Sequence, residues 1–557
     1  MIYPSSWRFQ ATTLLLTPLT PLAILLGLGA CHAPESGGGS ANWDHKGPAV
    51  AQGADGPGRF TSALYDAFDG ERALTDAGFF DGHYRAPGSE GYESALGRLA
   101  VRLEESGFAE EAPDAEDSRL IYEFQERALD HPSWTPIGGK LDLILADGSA
   151  HRLHGFKNDS ESERLMLPRN GRAGEHSGAP VFGIAEVEQG SILVTQARVD
   201  RRLMKMAAER GAHAILSSRL LPFNLDPSGN EREIDAILYT ELAANPELPV
   251  FQISPRSHAR IAASAEGDRR VRLSMAAEVD YGEPRMRTLV ATIRGADRAD
   301  EAVVIACHIE KPGPGGAVGV CEGVGSLARA MQAGEIAWPS RTLVFLWGDE
   351  VQQSEHWLES TKYKVVAALS ADMLGQDPEL TGTRLLVERG QDPGALITLP
   401  PDEHTAWGAG DVEEADLNAN GLALIARTAL SEVAELSGPW ATAEHPWEGG
   451  SDHDVYLKNG IPALLFWQFT GFTYQTSLDR VAWLDSAELR RSSVAVLATA
   501  MAVADPLPTD LARYLASLEH EREMRVGAAR DAGDDETAEL WESWCDGASE
   551  WLRQLCE

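Results

Sequence analysis

From residue 287 onward the chain alternates short, wholly apolar runs with longer amphipathic ones. The runs TLVATI, EAVVIACH, TLVFLW, VVAALSADM and IPALLFWQF are too short for helices and apolar at consecutive positions. That is the mark of strands buried on both faces. Between them the spacing predicts helices over about 318–332, 354–360 and 421–436, and another starting at Asp485-Ser486-Ala487-Glu488, a capping box. Strands alternating with helices predict an α/β domain, a mixed sheet flanked by helices, with its chemistry at the carboxyl ends of the strands.

Upstream, residues 59–110 read as helical, with Leu96, Leu99 and Leu103 on one face and a turn at Tyr84-Arg85-Ala86-Pro87-Gly88-Ser89. Residues 110–118 are acidic. From about 120 the pattern changes to KLDLILADG and GSILVTQA as strands, DRRLMKMAAERG as a helix, then HAILSS and LPVFQIS as strands. These predict a compact α/β insertion ending near residue 275. After Asp505-Pro506 the chain reads as amphipathic helices, with Leu511, Leu515 and Leu518 on one face and Trp541, Trp544 and Trp551 beyond, a cap or partner surface. No internal repeat is present.

Length and the ends of the chain refine this picture. At 557 residues and 43% hydrophobic content, two to three domains are expected. The N-terminus carries Arg8 and then ATTLLLTPLTPLAILLGLGA, whose Pro18 and Pro21 suit a membrane-spanning helix poorly. It ends in Leu28-Gly29-Ala30-Cys31, a signal-peptide ending that resembles the lipobox of bacterial lipoproteins, with Cys31 as the lipidated residue and HAPESGGGS as a tether. The expectation is an exported protein, lipid-anchored to the bacterial cell envelope. Lys plus Arg number 48 against 85 Asp plus Glu, a formal charge of -37. Such a surface repels nucleic acid and anionic lipid, so membrane contact is expected through the anchor only. Four further cysteines remain, an even number for an oxidising compartment. Cys545 with Cys556 is the first disulfide expected, while Cys307 and Cys321 read equally as a pair or as buried thiols.

The chemistry-bearing stretch is ACHIEKPGPGGAVGVCEGVG, residues 306–325. Its Gly323 and Gly325 lie inside the predicted helix, too far from the strand end for a dinucleotide fingerprint, and no Gly-Lys-Ser/Thr follows for a P-loop. Glu310 and Glu322 would raise a thiol's pKa, which disfavours a cysteine nucleophile, and no Gly-x-Ser-x-Gly elbow occurs in the chain. A metal site fits better. His308 ends one strand, Asp349-Glu350 follow a second, Asp372 ends a third, and Asp452, His453 and Asp454 lie in GGSDHDVYLKNGIP. Carboxylates and an imidazole at neighbouring strand ends can hold zinc and activate water.

In order along the chain, YRAPGSEG, CHIEKPGPGGA, FLWGDE, SADMLG, LLVERGQDPGALITLPPDEHTAWG, GGSDHDVYLKNGIPAL and YQTSLDR resemble the zinc aminopeptidases and related exopeptidases of metallopeptidase family 28. Members with a protease-associated insertion are the nearest pattern. The resemblance runs from about Arg85 to Asp505, and with the reading of the two ends the expected organisation is signal peptide 1–31, linker 32–58, the first part of the peptidase-like domain 59–135, a protease-associated-like insertion 136–275, the peptidase-like domain continuing over 276–505, and a helical extension 506–557. It implies His308, Glu350 and Asp372 as metal ligands and places Asp349, one methylene shorter, where the family has its general-base glutamate. Asp452 and His453 are implied behind the ligands.

Two positions depart from the family. Gly319 stands in the slot of the bridging aspartate, and Gln475, in Tyr474-Gln475-Thr476-Ser477, stands where the family has its last histidine ligand. The cofactor expectation is therefore one zinc ion or none, since catalytic zinc normally holds three protein ligands. Glu310, Glu322 and the carbonyl of Gln475 are candidate substitute ligands, and Cys321 a candidate thiolate. The expected function is an aminopeptidase-fold protein with reduced or lost peptidase activity that binds peptides or a cell-envelope partner. The alternative is an active metallo-exopeptidase with a single or shifted zinc site.

Overall fold

The computed structural model describes residues 55–111, 118–157, 162–396, 412–469 and 471–557. The expected signal peptide, Cys31 and the expected tether HAPESGGGS lie outside them. Nine strands form the main sheet: β1 (Ala109–Glu110), β2 (Leu120–Ala128), β3 (Arg285–Ile293), β4 (Arg298–His308), β5 (Arg341–Gly348), β6 (Lys364–Asp372), β7 (Arg384–Glu388), β8 (Thr442–His445) and β9 (Ala463–Phe469). Their order is β1-β2-β3-β5-β4-β6-β9-β7-β8. The central run β5-β4-β6-β9 is parallel, and β2, β3 and β7 join it through antiparallel pairs. This is the mixed sheet predicted from the apolar runs.

Alternation along β4 shows why those runs are apolar throughout. Val303, Ile305 and Cys307 join one core, together with the helices Gly58–Ala67, Gly70–Asp81, Glu90–Glu105, Gly315–Ala333, Leu422–Ser437 and Ser486–Ala504. Ala302, Val304 and Ala306 point the other way, onto Trp357, Val455, Tyr456 and Leu457. Both faces are dry, so neither tolerates a polar position.

The helix Gly315–Ala333 follows β4 and begins three residues earlier than its spacing predicts. Its first turn lies against the end of β6. A Cβ on Gly315 would fall 1.7 Å from the Leu374 carbonyl oxygen, and one on Gly316 would fall 2.5 Å from that of Ala371. Glycine here is a requirement of backbone-to-backbone approach.

Residues 133–282 build two further sheets. Ser133–Ile144, Ala150–Phe156, Gly174–Gly178 and Arg272–Gly282 form an antiparallel one, and Pro180–Val181, Ile192–Thr195, Ala214–Ser217 and Val250–Gln252 a parallel one. The boundaries 136 and 275 fall inside paired strands, because Ser133–Ile144 and Arg272–Gly282 stay in register to Ser133 and Gly282.

The chain ends in the helices Asp510–Asp531 and Asp535–Cys556. A buried ion-pair network ties them to the sheet edge: Arg427 bridges Glu444 of β8 at 2.5 Å and Glu521 at 3.1 Å. The expected Cys545–Cys556 disulfide is not present. Both thiols are free, and both lie on one helix eleven residues apart, roughly 16 Å along the axis, where a disulfide needs Cα atoms within about 7 Å. Cys307 and Cys321 are also free and buried.

Two glycine substitutions test the packing. Gly315→Ala should lower stability by about 1–3 kcal/mol through overpacking against Leu374. Gly78→Ala, in an exposed helix position with open space around its Cβ, should raise it by roughly 0.5–1 kcal/mol. Chemical denaturation of the two variants beside the parent measures both, and equal effects would contradict the close approach described for Gly315.

Candidate metal centre and adjoining cleft

Because β5, β4 and β6 are adjacent and parallel, their carboxyl ends bring Glu350, His308 and Asp372 together. One ligand atom from each lies within 4.8 Å of the others. His308 Nε2 donates to Asp372 Oδ1 at 2.8 Å and lies 3.8 Å from Glu350 Oε1. Its Nδ1 is 3.4 Å from Glu310 Oε2, an electrostatic contact without hydrogen-bond geometry. Burial opposes a charge on the imidazole, but Asp372, Glu310 and Glu350 outweigh it and hold His308 well above its ordinary pKa. Glu310, one of the candidate substitute ligands, therefore sits behind the imidazole, and it also accepts the Glu350 N–H at 3.4 Å.

The residue that sequence reading missed is Lys311. Its ammonium pairs directly with Glu350 Oε2 and lies 3.9 Å from Glu310 Oε1. Burial disfavours the charge, yet Glu350 and Glu310 prevail and hold the lysine well above its usual range. Arg85, 5% exposed, fixes the backbone that carries it. Its guanidinium donates to the carbonyls of Ile309 and Phe80, both at 2.6 Å, and to that of Lys311. A lone lysine three residues after His308 was the available signal.

The neighbouring acids divide by environment. Asp349 lies 3.4 Å from Arg127 and 3.9 Å from Arg169, and burial with the charge of Glu310 pushes it up to about 7 against those two cations. Asp452 is fully buried and accepts from Val351 N at 3.1 Å, Gln353 Nε2 at 3.0 Å and Ser354 Oγ at 2.6 Å. It thereby fastens the helix Gln352–Ser360 behind Glu350. Burial and then Glu350 raise it to about 6. His453 is also fully buried and donates from Nε2 to Glu388 Oε1 at 2.9 Å.

Backbone strain gathers at the same place. Val351 follows Glu350 with φ 66°, Met373 follows Asp372 with φ 47°, and Gln475 has φ 50°. A β-branched residue in that region is a genuine outlier, of the kind that persists where surrounding structure over-determines a site.

The departures from the family pattern have structural reasons. A Cβ on Gly319 would lie 2.4 Å from Ser493 Oγ and 3.4 Å from Leu489 Cδ2, so this position is a helix–helix contact in which any side chain would displace the Ser493 hydroxyl. Glu322 does not replace it. Its carboxylate is 2.5 Å from Arg72 and 3.0 Å from Arg329, on the side of the helix facing Gly70–Asp81. Cys321 likewise turns away, its thiol donating to the Leu99 carbonyl at 3.8 Å. Gln475 lines a cleft beside Lys311 and Tyr474, and its carbonyl accepts from Tyr239 N at 2.7 Å. Among the described residues its carboxamide makes no hydrogen bond to the cluster. Among the described residues one group, His308, Glu350 and Asp372, could hold a metal ion, and the Lys311 ammonium competes for Glu350.

Two hollows adjoin the cluster. A cleft of about 530 Å³ runs between the inserted parallel sheet and Lys311, Gly450 and Tyr474. A small cavity of about 30 Å³, lined by Asp81, Arg85, Lys311, Asp479 and Arg480 among others, lies beneath.

Strand-end carboxylates and an imidazole on a mixed, helix-flanked sheet define a metallopeptidase-like protein. Residues 288–500 match the sequence model "Peptidase family M28". No curated protein sequence matches the chain. Among solved structures, the Peptidase M28 precursor from Shewanella amazonensis is 13% identical with a TM-score of 0.50, over 81% of this chain and 97% of that one. It shows the shared fold. The zinc aminopeptidase of Bacillus subtilis is 13% identical with a TM-score of 0.49, over 78% and 94%. An aminopeptidase from Aneurinibacillus sp. strain AM-1 is 15% identical with a TM-score of 0.46, over 80% and 96%.

The small cavity sets a pH dependence. Asp479 is 4% exposed, its Oδ2 has no hydrogen-bond partner, and burial with the charge of Asp81 raises it to about 7. A carboxyl group whose folded pKa lies above its unfolded value stabilises fully below the unfolded value and loses that contribution as pH rises through the folded one. Thermal midpoints should therefore fall as pH rises from about 4 to about 7, with little further fall from this group above that, and Asp479→Asn should reduce the fall. An unchanged slope in the variant would remove Asp479 as its source.

Proposed function

We propose that this chain is an exported, lipid-anchored protein that binds peptides, or an extended segment of a cell-envelope protein, in the cleft of an M28 peptidase fold whose two-metal centre has been given up. One observation carries the reading: the ammonium of Lys311 sits on Glu350, the implied metal ligand. With His308 held protonated between Asp372 and Glu310, two proton-borne charges offset the carboxylates that would otherwise face a divalent ion. Buried carboxylates need such compensation, and here the chain supplies it internally.

Zinc, if taken up, would be held by His308, Glu350 and Asp372 as a single ion acting as a Lewis acid. A second reading, an exopeptidase with one zinc, draws support from the compactness of that triad and from Asp349. A carboxyl group held near neutrality can accept a proton from water during peptide hydrolysis. Residues 136–275 are read as the protease-associated insertion that walls the cleft, and the acidic surface as excluding nucleic acid.

Elemental analysis of the purified chain, paired with hydrolysis assays on aminoacyl and peptide substrates, separates the readings. The expected result is a folded, inert protein with far less than one zinc per chain. Lys311→Met, which frees Glu350, should bind zinc about tenfold more tightly or better, the scale of one charged contact. Stoichiometric zinc in the parent, with turnover abolished by Glu350→Ala, would establish the exopeptidase instead.

A further inference from the structure

The inserted parallel sheet presents its own carboxyl edge to the cleft. Ile192–Thr195, Ala214–Ser217 and Val250–Gln252 are neighbouring parallel strands. Arg198 follows the first, Arg219 follows the second, and Gln252 ends the third, and all three line the cleft. Carboxyl ends of adjacent parallel strands are where open α/β sheets take ligands. The M28-like motifs contribute Lys311, Gly450, Tyr474 and Gln475 to the same cleft but none of the residues on this edge.

Three features mark this edge as built for an anion. First, neither the Arg198 nor the Arg219 guanidinium has an ion pair or hydrogen bond among the described residues, in a chain of formal charge -37. Most of the other arginines around the cluster are paired: Arg85, Arg127 and Arg169 all hold carbonyls or carboxylates. Second, Arg219 is half-buried, and its pKa is lowered by that burial and by the nearby charge of Arg198. Glu241 lines the same cleft but pairs with Arg169, so the exposed Arg198 and the half-buried Arg219 face the cavity with no carboxylate of their own. Third, polar atoms here lack partners: Gln252 Oε1 on a residue 2% exposed, the Tyr239 hydroxyl on one 8% exposed, and Thr240 Oγ1. Buried polar groups left unpaired in a native structure are the signature of a missing ligand or water. Apolar wall is supplied by Leu221 and Phe223.

We propose that Arg198 and Arg219 form an anion subsite that selects peptides bearing a carboxylate, held by the two guanidiniums while an apolar side chain of the peptide rests on Leu221 and Phe223. The proposal rests on the peptide-binding reading and names its ligand class. Planar guanidinium forks match carboxylates bidentately, which lysines in the same place would not. The carboxylate can be the C-terminus of the peptide or an acidic side chain.

Isothermal titration of the full chain in detergent solution tests this with the tetrapeptide Leu-Phe-Ala-Glu, its C-terminal amide, the Leu-Phe-Ala-Gln acid and the Leu-Phe-Ala-Gln amide. The acid peptide should bind, and the uncharged amide should bind on the order of tenfold or more weakly, the cost of one charge-assisted contact. The two singly charged peptides tell which carboxylate is read. Arg198→Gln and Arg219→Gln should each bring the acid peptide down to the affinity of the uncharged one and leave the latter unchanged. Arg270→Gln, which removes an exposed pair with Asp268 beyond the other end of the helix Pro255–Gly267, should change nothing. Equal binding of charged and uncharged peptides, or undiminished binding by both arginine variants, overturns the anion subsite while peptide binding stands. Failure of all four peptides to bind overturns both.

Discussion

The centre of this molecule is arranged around an ammonium drawn in among strand-end carboxylates. Lys311, half-buried at the edge of the cleft, faces Glu350 and Glu310, and His308 meets the same carboxylates from the other side. Removing one member would leave an uncompensated charge, which costs far more than the net worth of the pair. The brace extends outward. Arg85 holds the carbonyls on either side of Glu310, and its own position depends on the helix Gly70–Asp81 through the Phe80 carbonyl. Asp81 then bridges Arg480 at 3.1 Å. The N-terminal helices and the loop after Ser477 are thus tied into one charge-balanced unit.

The same economy explains the cleft. Two parallel sheets, one in the peptidase-like domain and one in the insertion, turn their carboxyl edges toward a shared space, and a short clasp sets their separation. Ile237 N donates to Ser477 Oγ at 3.0 Å, Ser477 N to the Ile237 carbonyl at 2.8 Å, and Tyr239 N to the Gln475 carbonyl at 2.7 Å. This clasp seizes the loop where the family places its last histidine. The left-handed backbone of Gln475 is what the clasp requires, so the residue serves as a joint between the two halves of the cleft wall.

Most of the main sheet was legible because strands dry on both faces must be apolar at every position, and no other element imposes that pattern at such short length. The cluster of His308, Glu350 and Asp372 was legible for a related reason: strand ends in a parallel sheet converge, so three motifs far apart in sequence share one place. What was not legible depends on direction. Glu322 and Cys321 lie close to His308 in sequence, yet the helical wheel turns them toward Arg72 and Leu99. Lys311 stood in the quoted loop and received no role, since spacing alone does not say which way a loop side chain turns. The Cys545–Cys556 pairing failed because parity and proximity in sequence ignore the rigid rise of a helix. Arg198 and Arg219, twenty-one residues apart, meet only through the register of the inserted sheet.

The missing bridging carboxylate is best understood as part of the packing. Gly319 and Gly323 lie on the face of Gly315–Ala333 turned to Ser486–Ala504, with room for no Cβ: the nearest atoms would be Ser493 Oγ at 2.4 Å and Leu497 Cδ1 at 2.3 Å. A side chain at position 319 would require Ser493 to turn aside, whereas at Gly315 and Gly316 the obstacle is backbone, the Leu374 and Ala371 carbonyls. The close approach of the helix and the ammonium on Glu350 are two halves of one arrangement. With no carboxylate entering from the helix, fewer negative charges converge at the strand ends, and a single lysine with a single imidazolium is enough to offset them.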